Sequence, residues 1–363
     1  MDKKIQIAAI VVAIVFSALV LTSPNDPIPL PVPNSNSESD FVTVLAENLD
    51  KPRAIAISND RIFVTEKDGL IRVVQNNTLL ESPLATFRGA DVFDGGLLGI
   101  ALHPNFQNNH MLYVFLTYEE NNTLWNKILQ ITESENKLVS AKTILDKIPG
   151  SSFTNGGFIK FGPDDKLYVG TGTVSDASHL PQDLNSLSGK ILRINDDGTI
   201  PEDNPFSNSP VYSLGHRNPQ GMTWDNEGNL FVAEFGPEKN DEINLIQAGK
   251  NYGWPEQECS GNEKFEDAIL CYDPSIEPGG ILYYSGKSLD FESSFIMASM
   301  RAANLYQLDF EEGLGSQKSI LSGIGRVRDV VEGQDGSLYV ITSNTDGKGF
   351  PDSMDDKLLR IVK

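Results

Sequence analysis

The feature that most constrains the fold is a short repeat of an apolar, aromatic and apolar residue, usually preceded by polar turn residues. Successive copies begin 50, 55, 63, 65 and 43 residues apart. Spacings of this size are typical of one four-stranded blade per copy. The repeat predicts an all-β six-bladed propeller over residues 41–363, with a sandwich or a solenoid as the alternatives. The copies, the fifth of them degenerate, are Ile62-Phe63-Val64, Leu112-Tyr113-Val114, Leu167-Tyr168-Val169, Leu230-Phe231-Val232, Phe295-Ile296-Met297 and Leu338-Tyr339-Val340.

The two ends of this region are expected to complete one blade together. No convincing helical periodicity follows the N-terminal segment, and short β-rich stretches alternate with Gly, Asp and Asn turns. Propeller rings usually close by pairing the first strand with the last blade. We therefore expect the segment that starts near Phe41 to pair with the C-terminal segment Leu358–Lys363, so that the whole region forms one domain.

The N-terminus is predicted to carry an export signal. Lys3 and Lys4 precede the apolar run Ile5–Leu21, and eighteen helical residues would span about 27 Å, close to the roughly 30 Å of a bilayer core. The region Ser17–Ser23 matches a signal-peptidase site poorly. Residues 1–22 are therefore expected to be an uncleaved membrane anchor rather than a cleaved signal peptide. Because positively charged residues flanking a membrane segment stay in the cytoplasm, the lysines before the run would place the rest of the chain outside it. If the segment were cleaved, the protein would be secreted.

Two further features agree with an exported chain. Residues 23–40 hold five prolines followed by Ser and Asn, which is the composition of an extended linker. The chain has two cysteines, Cys259 and Cys271, separated by 12 positions. In an oxidising compartment they are expected to form a structural disulfide that closes a surface loop, rather than a metal site or reactive thiols.

The net charge excludes one broad class of partner. Fifty acidic and 29 basic residues give a formal charge of -21. Repulsion from phosphate argues against general nucleic-acid binding. The surplus of carboxylates is compatible with calcium sites or with a solvated surface, and nothing in the sequence indicates the oligomeric state.

Propellers bind ligands where their loops converge at one end of the central channel, so the distinctive loop motifs are candidate sites. Arg326 and Arg328 alternate with Val327 in one of them, which predicts that both arginines point to the same side and share a polar target. The motifs are Asp94–Pro104, Gly156–Asp164, Ser188–Arg193, Gly215–Gly221, Glu234–Pro237, Asp241–Leu245, Asn251–Pro255 and Gly325–Val330.

These motifs are colinear with those of a known family, and the chain resembles the glucose/sorbosone dehydrogenases from about Leu49 to Ile361. The run GHRNPQG, followed by GP, DEINL and NYGWP, is its most specific part. The resemblance implies a six-bladed propeller that binds pyrroloquinoline quinone and calcium. It also implies an oxidoreductase in which hydride passes from C1 of an aldose or related polyol to the quinone, and then to an external electron acceptor.

Roles of individual residues follow from the resemblance. It places Arg217 and Asn218 at the quinone carbonyls, with Arg217 also acting in catalysis, and Arg326 and Arg328 at the quinone carboxylates. The planar fork of arginine suits paired contacts with carboxylates. Arg301 stands where some members have a cofactor-contacting lysine, and Asp94 corresponds loosely to a glutamine.

The resemblance also implies two calcium sites. Backbone carbonyls of Gly236 and Pro237 match ligands of a calcium ion that contacts the cofactor. The Glu242 carboxylate and the Tyr252 carbonyl match ligands of a second, structural calcium ion. Oxygen ligands of these kinds are the ones that hard cations accept.

One position departs from the family pattern. Active members carry a histidine that acts as the base just before the Gly-Gly of Gly156-Gly157, and this chain has Thr154 there. A positioned general base contributes roughly 10² to 10⁴ in rate. Replacement bases could come from the loop that contains Asp176, His179 and Asp183, with His179 as the candidate.

Three functions are consistent with these residues. The first is a quinone-dependent sugar dehydrogenase. The second is a non-catalytic propeller that binds calcium, quinone or carbohydrate, because the histidine is absent. The third is a calcium-dependent hydrolase of the lactonase type, which requires central acidic and asparagine ligands.

Overall fold

The computed structural model describes residues 41–174, 179–310 and 316–362. The predicted anchor or signal peptide, residues 1–22, and the predicted linker, residues 23–40, lie outside these ranges. Within them, no helix is both long and apolar enough to cross a membrane. The described helical elements are a single turn, α1 (Phe106–Asn109), and a 3-10 turn (Leu180–Gln182).

The described strands form six antiparallel sheets, here called blades 1 to 6, and each runs outward from a central channel. One strand, β1 (Val42–Ala46), precedes blade 1. The strands of blades 1 to 3 are β2 (Pro52–Ser58), β3 (Arg61–Glu66), β4 (Leu70–Gln75), β5 (Thr78–Leu79) and β6 (Ala85–Thr86); β7 (Leu97–Leu102), β8 (Met111–Glu120), β9 (Thr123–Ser134) and β10 (Lys137–Pro149); and β11 (Gly156–Phe161), β12 (Leu167–Thr171), β13 (Lys190–Ile194) and β14 (Val211–Leu214).

The remaining three blades repeat this plan. Their strands are β15 (Pro219–Trp224), β16 (Leu230–Glu234), β17 (Asp241–Ile246) and β18 (Leu270–Tyr272); β19 (Pro278–Tyr284), β20 (Ser294–Ser299), β21 (Asn304–Asp309) and β22 (Ser316–Ser322); and β23 (Val327–Glu332), β24 (Leu338–Thr342) and β25 (Leu358–Ile361). The predicted all-β, six-bladed propeller is thus confirmed.

The six triplets occupy equivalent places in the blades. Each lies in the second strand from the channel, namely β3, β8, β12, β16, β20 or β24. Neighbouring blades cover both faces of these strands, so Phe63, Val64, Leu112 and Tyr113 are all fully buried. Burial on both faces explains why the repeat is a continuous apolar run instead of an alternating pattern.

The ring closes as predicted. In blade 6, β1 supplies the outermost strand and pairs with β25, with Val42 opposite Ile361 and Val44 opposite Leu359. Leu358 is buried in a core cluster that also contains Leu45 and Ile55. The first and last described strands therefore hold the ring together.

The innermost strands set the position of the site. The strands β2, β7, β11, β15, β19 and β23 contact one another in sequence around the channel, and β23 contacts β2. They enter their blades in the same direction, so all six begin at the same end of the channel, here called the mouth. Residues that precede or begin these strands therefore surround one opening.

Candidate active site

Every blade contributes polar residues to the mouth at the start of its inner strand. Most of these side chains are buried, with exposed fractions of 9% or less for Arg53, Asp94, Thr154 and Arg328. In order from blade 1 to blade 6, the residues are Arg53, Asp94, Thr154 with Asn155, Arg217 with Asn218, Glu277, and Arg326 with Arg328.

Arg328 lies in the wall of the central recess without a carboxylate partner among the described residues. Its Nη2 donates to Gln220 Oε1 at 2.9 Å, and its Nη1 lies 3.3 Å from Met300 Sδ. Burial, followed by the nearby positive charge of Arg53, lowers the pKa of Arg328 to about 9. A buried guanidinium in this setting is favourable for an anionic ligand.

Arg326 has a different environment, contrary to the predicted shared target. Its Nη2 lies 2.8 Å from Glu277 Oε2 and 2.9 Å from Asp346 Oδ2. The register of β23 shifts between Val327 and Asp329, so regular alternation breaks at Arg328. Arg326 is therefore already neutralised by carboxylates, whereas Arg328 is not.

Glu277 is shared by three cations. Besides Arg326, its Oε1 lies 3.2 Å from Arg301 Nη2 and 3.0 Å from Lys348 Nζ. Burial alone would raise the pKa of Glu277, but Arg326 and Lys348 outweigh burial and lower it to about 2. Arg301 is thus placed in the same cluster as Arg326, while nearly half of its side chain stays exposed.

Sequence reasoning missed Arg53 and gave Gln220 no role of its own within the Gly215–Gly221 motif, although both line the same recess as Arg328. Arg53 forms a buried ion pair with Asp94. Arg53 and Gln220 occupy the second position of an inner strand, as Arg328 does. A comparison of the second residues of the six inner strands could have identified both from the sequence, because three of these positions carry long polar side chains.

Arg217 contacts Gly236, whose carbonyl oxygen was predicted to bind calcium. Arg217 Nη1 donates to the carbonyl oxygens of Phe235 at 2.9 Å and of Gly236 at 2.5 Å. The guanidinium also lies 5.3 Å from the ring centre of Trp254, and its buried Nε has no partner among the described residues. The carbonyl predicted to bind calcium thus faces a guanidinium here, while Pro237 lines the same recess.

A buried chain of hydrogen bonds fixes the backbone of Arg217. Ser213 Oγ lies 2.8 Å from His216 Nε2, and His216 Nδ1 lies 2.6 Å from Glu234 Oε1. Glu234 Oε2 accepts the Arg217 amide at 3.0 Å. The net effect on Glu234 is a lowered pKa, because His216 and its other donors outweigh burial. His216 therefore serves to position the loop that carries Arg217.

The side-chain oxygen of Asn218 accepts two hydrogen bonds from the protein. This atom accepts the Gly156 amide at 2.9 Å and Gln220 Nε2 at 3.1 Å. Gly156 has a φ of 64°, and a side chain on it would approach backbone atoms of residues 170–172 at 3.0 Å or less. Glycine at position 156 thus allows the segment to pass close to β12, where a larger residue would clash.

The predicted ligands of the structural calcium ion are Glu242, which lines the recess that contains Arg217, and Tyr252. Glu242 Oε1 accepts the Cys259 amide at 2.7 Å, and its Oε2 accepts Asn244 Nδ2 at 3.0 Å. Burial, followed by the charge of Glu234, raises the pKa of Glu242 to about 7. Tyr252 is buried and stacks on His216 at 4.9 Å. In the part of the chain that the structure describes, no three acidic, histidine or cysteine side chains form a metal-binding group.

Cys259 and Cys271 form a disulfide, with their Cα atoms 5.8 Å apart. Cys271 lies in β18 opposite Glu242 in β17. The disulfide therefore restrains the long connection between these strands, from which Trp254 reaches the recess at Arg217.

Thr154 and the described candidate bases have different environments. Thr154 is buried and donates its hydroxyl to the Thr173 carbonyl at 2.5 Å. His179 is exposed and has no side-chain hydrogen bond within the described ranges. The pKa of Asp183 is lowered, chiefly by the Asn185 amide, which makes this carboxylate a weaker base. Asp176 lies outside the described residues.

The loop that carries His179 is nevertheless attached firmly at its far end. The Lys190 ammonium is fully buried and donates to the carbonyls of Leu180, Pro181 and Ser188 at 2.7 to 2.9 Å. Burial lowers the pKa of Lys190 to about 7. The three carbonyl acceptors nevertheless favour the charged side chain, because only an ammonium has three N–H donors. The loop also contacts the Arg217 segment, because the Thr173 amide donates to the Arg217 carbonyl at 2.8 Å.

Comparison with known proteins gives a consistent result. The family model described as Glucose / Sorbosone dehydrogenase matches residues 49–360. The aldose sugar dehydrogenase of Escherichia coli is 29% identical over 85% of this chain and 91% of its own length. Quinoprotein glucose dehydrogenase B of Acinetobacter calcoaceticus is 34% identical over 58% of this chain and 52% of that relative.

Solved structures show the same similarity. The structure of the PQQ-bound form of aldose sugar dehydrogenase from Streptomyces coelicolor has a TM-score of 0.80 and 36% identity to this chain. The match covers 88% of this chain and 97% of that one.

Proposed function

Because the chain belongs to the glucose/sorbosone dehydrogenase family, we propose that it is a pyrroloquinoline-quinone-dependent dehydrogenase that oxidises an aldose or a related polyol. Relatives named as sugar dehydrogenases, and a similar structure described as PQQ-bound, support this activity. The cofactor would lie at the mouth, where the inner strands of all six blades begin.

The observation that carries the proposal is the environment of Arg328. A buried guanidinium without a carboxylate partner among the described residues would be costly unless an anion paired with it. A carboxylate of the quinone is such an anion. Gly156, Gly157 and Gln220 line the same recess as Arg328. The residues present therefore fit the cofactor.

Each residue then has a defined task. When bound, pyrroloquinoline quinone supplies the hydride acceptor. Arg328 would hold a cofactor carboxylate. Arg217 would polarise the cofactor, either after rotating away from the Phe235 and Gly236 carbonyls or while still bonded to them. Arg326 and Arg301 would act through the electrostatic field around Glu277, and Asn218 would hold the Gly-Gly segment in place.

The proton from the sugar hydroxyl has no obvious acceptor in the described residues. Thr154 donates its hydroxyl to the Thr173 carbonyl, and a neutral hydroxyl is too weak a base to take over the role of histidine. This observation favours a second candidate function, a propeller that binds quinone or carbohydrate without turnover. If turnover occurs, His179 is the residue that we propose as the base, after movement of its loop.

Calcium is part of the same proposal. The recess next to Arg217 is lined by Gly236, Pro237, Glu242 and Glu258, and the Asn244 side-chain oxygen is buried without a partner among the described residues. These oxygen donors suit calcium, but the protein side chains alone supply too few carboxylates for a closed site. We propose that calcium binding is completed by the cofactor and that the guanidinium of Arg217 shifts to admit it.

We further propose that the propeller works outside the cytoplasm, attached by its N-terminal segment. The apolar run after Lys3 and Lys4 and the disulfide between Cys259 and Cys271 support this location. A sugar and an external electron acceptor would then be the small-molecule partners. Membrane fractionation of the expressed protein tests the attachment.

Reconstitution separates the two candidate functions. The purified protein is incubated with pyrroloquinoline quinone, with calcium or with EDTA, and then assayed for bound quinone and for sugar-dependent dye reduction. Binding with turnover supports the dehydrogenase. Quinone binding without turnover for any aldose would reject it in favour of the binding module, and absence of quinone binding would reject both.

A further inference from the structure

Two phenylalanine rings stand exposed at the mouth. Phe93 is 49% exposed and Phe153 is 60% exposed. Their ring centres are 5.5 Å apart, so they form one continuous aromatic surface. Exposed apolar surface is unfavourable in water, and a paired aromatic surface beside a binding site points to a ligand.

The pair is part of the mouth rather than of the outer surface. Phe93 directly precedes Asp94, and Phe153 directly precedes Thr154, so each ring belongs to the start of an inner strand in blades 2 and 3. The Asp94 amide donates to the Ser152 carbonyl at 2.8 Å, which joins the two loops. The rings are therefore held next to each other at the entrance of the recess.

Lys348 reaches the same place from the other side of the ring. It follows β24 in blade 6, and its ammonium lies 3.0 Å from Glu277 Oε1 and 5.4 Å from the ring centre of Phe93. Glu277 begins blade 5 and Phe93 begins blade 2, and these two blades are opposite in a ring of six. The ammonium therefore lies over the opening, where a ligand entering the channel must pass it.

The Lys348 ammonium uses only one of its hydrogen-bond donors within the described residues. An ammonium has three N–H donors, and within the described residues the hydrogen bond to Glu277 is the one that Lys348 makes. Its side chain is 44% exposed. Two donors thus remain for a ligand that carries oxygen acceptors.

We propose that Phe93, Phe153 and Lys348 form a sugar-binding rim that holds the substrate ring over the mouth; this inference rests on the proposed function. A pyranose has a face of C–H groups with partial positive charge, which matches the negative faces of aromatic rings. Its hydroxyl oxygens accept hydrogen bonds from an ammonium. A flat electron acceptor could also stack on the phenylalanines, but it would lack the several hydroxyls that the free donors of Lys348 suit.

The experiment measures sugar binding independently of turnover. The full-length protein loaded with pyrroloquinoline quinone is titrated with a panel of aldoses, and binding is followed by saturation-transfer NMR and calorimetry. Phe153→Ala is expected to weaken sugar binding about five- to ten-fold, whereas Phe153→Tyr retains binding because an aromatic face remains. Val139→Ala removes an exposed apolar side chain from the outer strand β10 and serves as the control.

The lysine has its own prediction within the same experiment. Lys348→Met removes the donors but keeps the length of the side chain. It should weaken binding of a full sugar more than binding of its deoxy analogue, so that discrimination between the two falls by about ten-fold. Quinone affinity and the KM for the dye are expected to stay within two-fold in Phe153→Ala.

The possible outcomes are distinct. Sugar binding that depends on Phe153 in a protein without turnover supports the rim while rejecting the dehydrogenase. Unchanged sugar binding in Phe153→Ala and Lys348→Met overturns the rim even if the enzyme is active. A raised KM for the dye, or a loss of quinone binding, would instead assign these side chains to the acceptor or to the cofactor.

Discussion

At the residue scale, two arginines separated by one valine have different electrostatic partners. Arg326 is held between Glu277 and Asp346, whereas Arg328 contacts the neutral groups of Gln220 and Met300. An ion pair that is already formed must be broken or shared before it can bind a new anion. An unpaired guanidinium has no such cost, so the two residues should contribute differently to binding and to stability.

Quinone binding should therefore depend more on Arg328 than on Arg326. Arg328→Met is expected to weaken quinone affinity about 10- to 100-fold, because charged hydrogen bonds are worth roughly 1.5–3 kcal/mol. Arg326→Met should weaken quinone affinity less but lower the free energy of unfolding more, since it leaves the buried Glu277 and the half-buried Asp346 with fewer partners. Equilibrium titration and urea unfolding of both variants measure the two effects, and equal effects on affinity would contradict the distinction.

Glu277 should make stability depend on pH in the acid range. Its pKa of about 2 in the folded protein lies below the ordinary value of 4.5. The stabilisation is therefore fully present above pH 4.5 and is lost as pH falls from 4.5 towards 2. Glu277→Gln is expected to lower the free energy of unfolding by about 2 to 3 kcal/mol at pH 7.

The difference between Glu277→Gln and the parent should shrink at pH 3. Chemical unfolding at the two pH values tests this, with Glu263→Gln at an exposed position as the control. A difference that stays constant with pH would show that the amide disrupts packing and not the ion pairs.

At the element scale, the connection between β12 and β13 depends on one buried ammonium. Lys190 donates to the carbonyls of Leu180, Pro181 and Ser188, and the Gly215 amide donates to the Pro181 carbonyl at 3.1 Å. The loop that contains His179 is thus linked to the start of the segment that carries Arg217. Movement of this loop would be transmitted to the arginine.

Lys190→Met should release this connection. The carbonyls of Leu180, Pro181 and Ser188 would each lose the hydrogen bond from Lys190, while Leu180 and Pro181 keep a backbone donor. The loss is expected to cost about 2 to 4 kcal/mol of local stability. Hydrogen exchange should speed up at residues 180–189 and at the Gly215 amide, while the amides of β3 in blade 1 stay protected. Uniform acceleration over all blades would indicate global destabilisation instead.

The elements differed in how far the sequence could predict them. The triplets predicted the second strand of every blade, because burial between two neighbouring blades requires apolar residues on both faces. The break in β23 was not predictable from alternation, since a one-residue shift of register depends on pairing with β24. For that reason the contacts of Arg326 and Arg328 differ from expectation.

At the scale of the whole molecule, the site was predictable only in part. The motifs that resemble the family identified Arg217, Asn218 and Asp94 near the mouth, and the structure places all three there. Arg53 and Lys348 had no motif to mark them, because their positions depend on contacts between blades far apart in sequence. The calcium ligands and the base remain predictions, since neither a metal group nor a placed histidine is found in the described residues.

Closure of the ring gives a prediction for the entire propeller. Leu358 is fully buried where β25 meets β1 and blade 1. Leu358→Ala is expected to lower the free energy of unfolding by about 2 to 5 kcal/mol, because it leaves a cavity at the junction of the ring. Val139→Ala should change it by less than about 0.5 kcal/mol. Thermal or urea unfolding provides the comparison, and similar small effects would mean that the junction does not limit stability.

The pairing of β1 with β25 also has a consequence for the order of events during synthesis. Val42 leaves the ribosome early, but its partner Ile361 is made only after blades 1 to 5 and the inner strands of blade 6 have been translated. Contacts so distant in sequence form late and slowly. The ring therefore cannot close until β25 has been made, however early the first blades form.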